Sequence, residues 1–131
     1  MDRRSPPAEA AQSKGMSFSW DEAVAFALTL PGVSMGAGAR GSTSPQVRGK
    51  QIVSQGRTPG DFVLRATREE IGVLIETDPD CFWQTPQYEG WPCILVRSAA
   101  ADPERLRVLI ERAWWDRASG AQRARHGGER P

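Results

Sequence analysis

FVLRATREEIGVLIETDPDCFWQTPQYEGWPCILVRSAAADPERLRVLIERAWWDRAS, residues 62–119, decides the fold. It reads as strand, helix, strand, aromatic loop, strand, helix. Thr67-Arg68-Glu69-Glu70 is a capping box: the Thr67 hydroxyl accepts from the third helical amide, and Glu70 reaches back to the cap amide. Ile71, Leu74 and Ile75 then recur at helical spacing, and Asp78-Pro79 closes the helix. Cys81-Phe82-Trp83-Gln84 and Cys93-Ile94-Leu95-Val96 read as an antiparallel strand pair around the loop Thr85 to Pro92. Asp102 caps the last helix with Pro103 at its first position, where the missing N–H costs nothing. Leu106, Leu109, Ile110, Ala113 and Trp114 form that helix's core face.

Upstream, Ser19-Trp20-Asp21-Glu22 is another capping box. Trp20, Val24, Ala27 and Leu28 share one face of the helix it opens, Phe26 and Leu30 widen the arc, and Pro31-Gly32 ends it. Gln46-Val47-Arg48 and Gln51-Ile52-Val53 read as strands around Gly49-Lys50, with Gly at the first central position of a type II′ turn. A second turn, Gln55 to Gly60, leads to the strand Asp61–Arg65. The sum is an α+β domain: an antiparallel meander sheet of about five or six strands with three helices packed on one face. It spans residues 17–119. Residues 1–16 and the basic, Gly-rich 120–131 carry too little apolar surface to offset ordering, so both ends are expected to be mobile and disordered.

A chain of 131 residues is sized for one domain. Its formal charge of +1 names no partner, but the distribution is polar. Arg40, Arg48, Lys50, Arg57, Arg65 and Arg68 face only Asp61 within residues 40–68, a net of +5. Glu69, Glu70, Glu76, Asp78, Asp80 and Glu89 meet no cation within residues 69–89, a net of −6. The folded molecule is therefore expected to be electrically two-sided. Neither a membrane-crossing apolar run nor a signal-peptide segment is present, which predicts a cytoplasmic protein without membrane contact. The two cysteines, Cys81 and Cys93, make neither a disulfide framework nor a metal pattern and read as buried thiols.

Leu30-Pro31-Gly32-Val33, Val47-Arg48-Gly49-Lys50, Thr85-Pro86-Gln87-Tyr88-Glu89-Gly90-Trp91-Pro92, Ile94-Leu95-Val96-Arg97 and the helix end Ala113-Trp114 together resemble the MmcQ/YjbR family. The resemblance runs from about Trp20 to Ala118. It implies a compact α+β fold of double-wing type, with some likeness to the frataxin fold, and DNA as partner; it brings no catalytic residues. Two positions depart from the family pattern: Gln46 and Ile52 stand where relatives carry aromatics.

Hairpin geometry brings Arg48, Lys50 and Arg65 to one end of the sheet and leaves Arg57 at the other, about 15–20 Å away at a rise of ~3.3 Å per residue. Such a cluster, with Arg40, can sit on nucleic-acid phosphates. It can equally be a solvated edge that discourages sheet association. Trp83, Tyr88 and Trp91 in the aromatic loop either stack on a ligand or plug a small core. Trp115 falls off its helix's core stripe and either marks a partner surface or lies along the domain's own.

Gly36-Ala37-Gly38-Ala39-Arg40-Gly41 matches G-x-G-x-x-G, but no helix follows to hold a pyrophosphate, so it is not a nucleotide site. There is no Walker A sequence. The lone histidine, His126, falls in the expected tail, so nucleophilic catalysis lacks a positioned base. Zinc ligands are lacking. The frataxin likeness raises iron, for which Glu69, Glu70, Glu76, Asp78 and Asp80 offer an acidic ridge. The reading is a non-enzymatic DNA-binding module without cofactor, monomeric or weakly dimeric. The alternative is an interaction or small-ligand module using Trp83, Tyr88 and Trp91 or Trp115.

Overall fold

The structure, a computed structural model, describes residues 18–38, 41–56, 60–88 and 90–131. Arg40, Arg57, the second turn's centre and the N-terminal segment to residue 17 lie outside the described residues. The element order is α1 (Trp20–Ala27), β1 (Val33–Ala37), β2 (Thr43–Val47), β3 (Lys50–Gln51), β4 (Val53–Gln55), β5 (Asp61–Arg65), α2 (Arg68–Thr77), β6 (Phe82–Trp83), β7 (Cys93–Arg97), α3 (Pro103–Arg117) and α4 (Gly120–Arg125). Short 3-10 turns at Pro86–Tyr88 and Ser98–Ala100 flank β7. The protein is α+β.

The strands form two antiparallel sheets, β1-β2-β3 and β4-β5-β7-β6. Ile52 ties them together: its amide donates to Pro45 O at 3.1 Å and its carbonyl accepts from Arg65 N at 3.2 Å. β3 and β4 are thus one extended stretch interrupted at a fully buried Ile52. The expected meander holds only as far as β5. The chain then crosses through α2 to β6, and β7 returns between β5 and β6. The reason lies in the strands themselves. Cys93-Ile94-Leu95-Val96 is buried along its whole length, as a strand covered on both faces must be, and takes the centre. β6 has two residues and takes the edge, where short strands give least purchase for unwanted pairing.

Both predicted capping boxes form, Ser19 with Glu22 and Thr67 with Glu70. Asp102 caps α3 by accepting from Glu104 N at 3.1 Å. Phe62, Leu64, Ile94 and Val96 turn toward the helices. There they meet Ile71 and Leu74 of α2 and Leu106, Leu109, Ile110, Ala113 and Trp114 of α3. α1 sits differently from its predicted face: Ala23, Ala27 and Leu30 are buried, while Leu28 is 43% exposed. The helix ends at Ala27, and the tighter Leu30 N→Ala27 O and Thr29 N→Phe26 O bonds rotate Leu30 inward in place of Leu28. The opposite sheet face carries a second cluster, Val63, Cys93 and Leu95, against which Trp83 and Tyr88 pack.

The C-terminal segment corrects the expectation of a mobile tail. Ser119 and Gln122 form a third capping box, which opens α4. Arg123 donates to Trp115 O at 2.9 Å, and its guanidinium lies 5.2 Å from the centre of the Trp115 ring. His126 Nε2 lies 2.7 Å from Glu111 Oε2, and its ring meets Trp114 edge-on at 4.8 Å. Arg112 Nε donates to Pro131 O at 2.7 Å. α4 buries no residue, so hydrogen bonds, charge pairs and ring contacts hold this segment rather than apolar burial. Composition alone cannot see that.

Candidate functional site

β2 and β3 pair with Val47 opposite Lys50, so the two-residue loop is Arg48-Gly49 rather than Gly49-Lys50. Both have positive φ, +54° and +76°, which a type I′ turn requires and type II′ does not. Arg48 is the one non-glycine residue with positive φ among those described. An L side chain there costs about 1–2 kcal/mol. The turn holds Arg48 at the tip, exposed, with its guanidinium 3.5 Å from Arg117 O at the end of α3. A cation at a helix C-terminus also meets the negative end of the helix dipole.

Behind the tip lies a surface hollow of about 310 Å³ lined by Lys50, Ala66, Thr67, Pro92, Asp116 and Arg117. Arg65 projects from β5 alongside, donating to Gln51 Oε1 at 3.0 Å. Arg117, donating to Ala113 O at 3.0 Å, is half-buried. Burial, and then Arg65, lower its pKa, and Asp116 partly offsets them. Arg48, Lys50 and Arg65 therefore do come to one end of the sheet, and α3 adds Arg117, which the sequence reading did not single out. Its signal was present: Arg117 ends a helix whose core face Trp114 closes. Only the tertiary packing that sets the end of α3 against the tip of the β2–β3 hairpin brings it to these cations.

Carboxylates stand near this cluster, and other cations engage them. Arg130 clamps Asp116 through two bonds of 3.0 Å and reaches Glu70 at 3.0 Å. Arg112 takes the other oxygen of Glu70 at 3.3 Å. The hydrogen bond to Asp116, before all else, raises the Arg130 pKa.

The aromatic loop borders the same hollow through Pro92, whose carbonyl accepts from Ala66 N at 3.1 Å. Gln84 donates to Cys93 O at 2.9 Å and fastens the loop's base. Tyr88 N→Thr85 O and Trp91 N→Tyr88 O, both 2.9 Å, set its turns. Arg68 donates to Gly90 O at 2.9 Å from the start of α2. The aromatics divide sharply. Trp83 and Tyr88 pack on the second cluster, with Arg97 4.8 Å above the Trp83 ring. Trp91 is 58% exposed. Trp115 is half-buried against the core, in edge contact with Trp114 at 6.2 Å and beneath Arg123.

His126 is a positioned imidazole, with Glu111 at one nitrogen and Trp114 against its ring. Cys81 and Cys93 are buried free thiols. Burial, and then Asp78, push Cys81 up to about 11, and burial pushes Cys93 the same way. Both stay protonated near neutrality, the form least able to act as a nucleophile. Among the described residues no three His, Cys, Asp or Glu side chains converge to hold a metal ion, the acidic ridge of α2 included. Gly36 lies in β1 and Gly38 just after it, its N donating to Ser42 O at 2.7 Å; among the described residues the next element is the strand β2, not an α-helix. Among the described residues no helix is long and apolar enough to cross a membrane.

No protein-family model matches the chain, and no solved structure matches it. Uncharacterized proteins of mycobacteria do. Rv2570 of Mycobacterium tuberculosis and Mb2600 of Mycobacterium bovis are each 37% identical to it over 57 residues, 42% of this chain and 44% of theirs. The match thus spans under half the length of these curated relatives.

Proposed function

We propose that this protein is a non-enzymatic nucleic-acid-binding module that contacts DNA backbone phosphates through the cationic end of its sheet. One observation carries the reading: Lys50 and Arg117 line one hollow, with Arg65 beside them on β5 and Arg48 held at the hairpin tip by its bond to Arg117 O. Cations gathered this closely repel one another, and an incoming phosphate relieves that repulsion. The positive φ of Arg48 points the same way, because strained backbone persists most often where a side chain has a task. The resemblance to the MmcQ/YjbR family, usually labelled DNA-binding, agrees.

The test is fluorescence anisotropy of labelled mixed-sequence duplex DNA at about 50 and about 200 mM salt. Micromolar binding that falls steeply with salt, and that Arg48→Ala/Lys50→Ala weakens and makes less salt-sensitive, is the expected result. A double variant that binds like the unaltered protein would remove the assignment. A second reading, an interaction or small-ligand module, keeps one observation in its favour, the exposed Trp91. It predicts binding nearly insensitive to salt and lost on Trp91→Ala.

A further inference from the structure

We propose that the site takes single-stranded nucleic acid, one backbone phosphate in the hollow lined by Lys50 and Arg117 and a neighbouring base stacked on Trp91; the inference rests on the phosphate reading above. Trp91 is 58% exposed, whereas Trp83, Tyr88, Trp114 and Trp115 are committed to the protein's own packing. The residue after it, Pro92, lines the hollow, so the loop that carries the indole also walls the phosphate site. Arg68, bonded to Gly90 O, places a further guanidinium beside the indole's loop. An aromatic face next to a cationic track is what a flexible strand needs: charge for its phosphates and a platform for its bases.

The backbone that carries the indole is also held in advance. Trp91 N donates to Tyr88 O at 2.9 Å and its carbonyl accepts from Cys93 N at 2.8 Å. Pro92 follows it, with its own carbonyl bonded to Ala66 N. A ligand therefore meets a backbone already ordered and gives up less affinity to ordering it. Duplex DNA cannot use this platform without opening, because its bases are stacked on one another and paired. A single strand offers each base face freely. The exposed indole thus separates two ligands that the phosphate contacts alone would treat alike.

The experiment measures anisotropy of the full chain with labelled oligo(dT) and with a duplex of equal length. Oligo(dT) should bind more tightly. Trp91→Ala should weaken oligo(dT) binding about ten-fold, the share of one stacked base, while leaving duplex affinity and both salt slopes unchanged. Trp91→Phe should restore most of the loss. Lys50→Ala should weaken both probes. Equal oligo(dT) affinity for Trp91→Ala and the unaltered protein, or a preference for duplex, overturns the proposal and leaves the phosphate reading standing. Binding of neither probe removes both.

Discussion

Arg48→Asn should make the protein more stable and a poorer phosphate binder, and both changes can be sized from the hairpin. Arg48 and Gly49 form the central pair of a turn with φ of +54° and +76°. Asn-Gly is the preferred pair for that turn because Asn tolerates the left-handed region. Asn keeps a Cβ but tolerates this region better than Arg, so the exchange should return up to about 1 kcal/mol, the lower end of the cost of that conformation. The Arg48–Arg117 O contact, 3.5 Å long and exposed, offsets little of it. Urea unfolding followed by far-ultraviolet circular dichroism should show a later midpoint with unchanged slope. On the binding side, one lost phosphate contact lowers the salt exponent by ~0.9. Between about 50 and about 200 mM salt the fall in duplex affinity should therefore shrink about 3.5-fold. An earlier urea midpoint would show that the turn geometry is misjudged. An unchanged salt exponent would show that Arg48 touches no phosphate.

Trp114 is fully buried, and its Nε1 donates to Pro31 O at 2.8 Å. Trp114→Phe should cost about 2 kcal/mol in urea unfolding, from a lost buried hydrogen bond and an unfilled volume; a cost below about 0.5 kcal/mol would show that this link between the α1–β1 turn and α3 carries no weight. The Cys81 thiol is raised from its usual 9.0 to about 11, by burial first and Asp78 second. Folding keeps it protonated, so its contribution is complete below pH 9.0 and is lost as pH rises toward about 11. Unfolding free energy should fall by about 1.4 kcal/mol per unit across that window for this thiol, with Cys93 adding a loss of the same sign. Cys81→Ala, compared at each pH, should flatten the decline; an identical slope would mean the thiol is not buried as drawn.

Local signals carried most of the fold. The boxes at Ser19 and Thr67 and the Asp102 cap with Pro103 are short-range chemistry, and the helix starts fall where they place them. The α3 stripe is legible because Leu106, Leu109, Ile110, Ala113 and Trp114 repeat at helical spacing. What failed depended on distant partners. The order of β6 and β7 depends on which strand has two buried faces, and Val96 declares that only when Phe62 lies on one side and Phe82 on the other. The hairpin loop slipped by one residue because Gly49 suits either central position, and the register was set by Val47, which is buried. The helix at Gly120 was missed for a different reason. Gly-rich composition argued against order, while Ser119 and Gln122 supplied the same cap chemistry that opens α1 and α2.

The candidate site shows how far a local reading reaches. Arg48, Lys50 and Arg65 were brought together by strand geometry alone, because a short hairpin leaves few alternatives. Arg117 could not be, since 52 residues separate it from Arg65 in the chain. The same holds for the charge balance. Counting along the sequence sets six anions between residues 69 and 89 against the basic segment, and Glu69 and Glu70 begin a helix beside it. In the fold, Arg112 and Arg130 occupy Glu70, and Arg130 also occupies Asp116 on the rim of the hollow. The C-terminal segment that composition marked as a mobile tail is therefore what lifts negative charge from the cationic end. Exposed pairs of this kind add little to stability, about 1 kcal/mol or less each. Their larger effect is on the field an approaching phosphate meets.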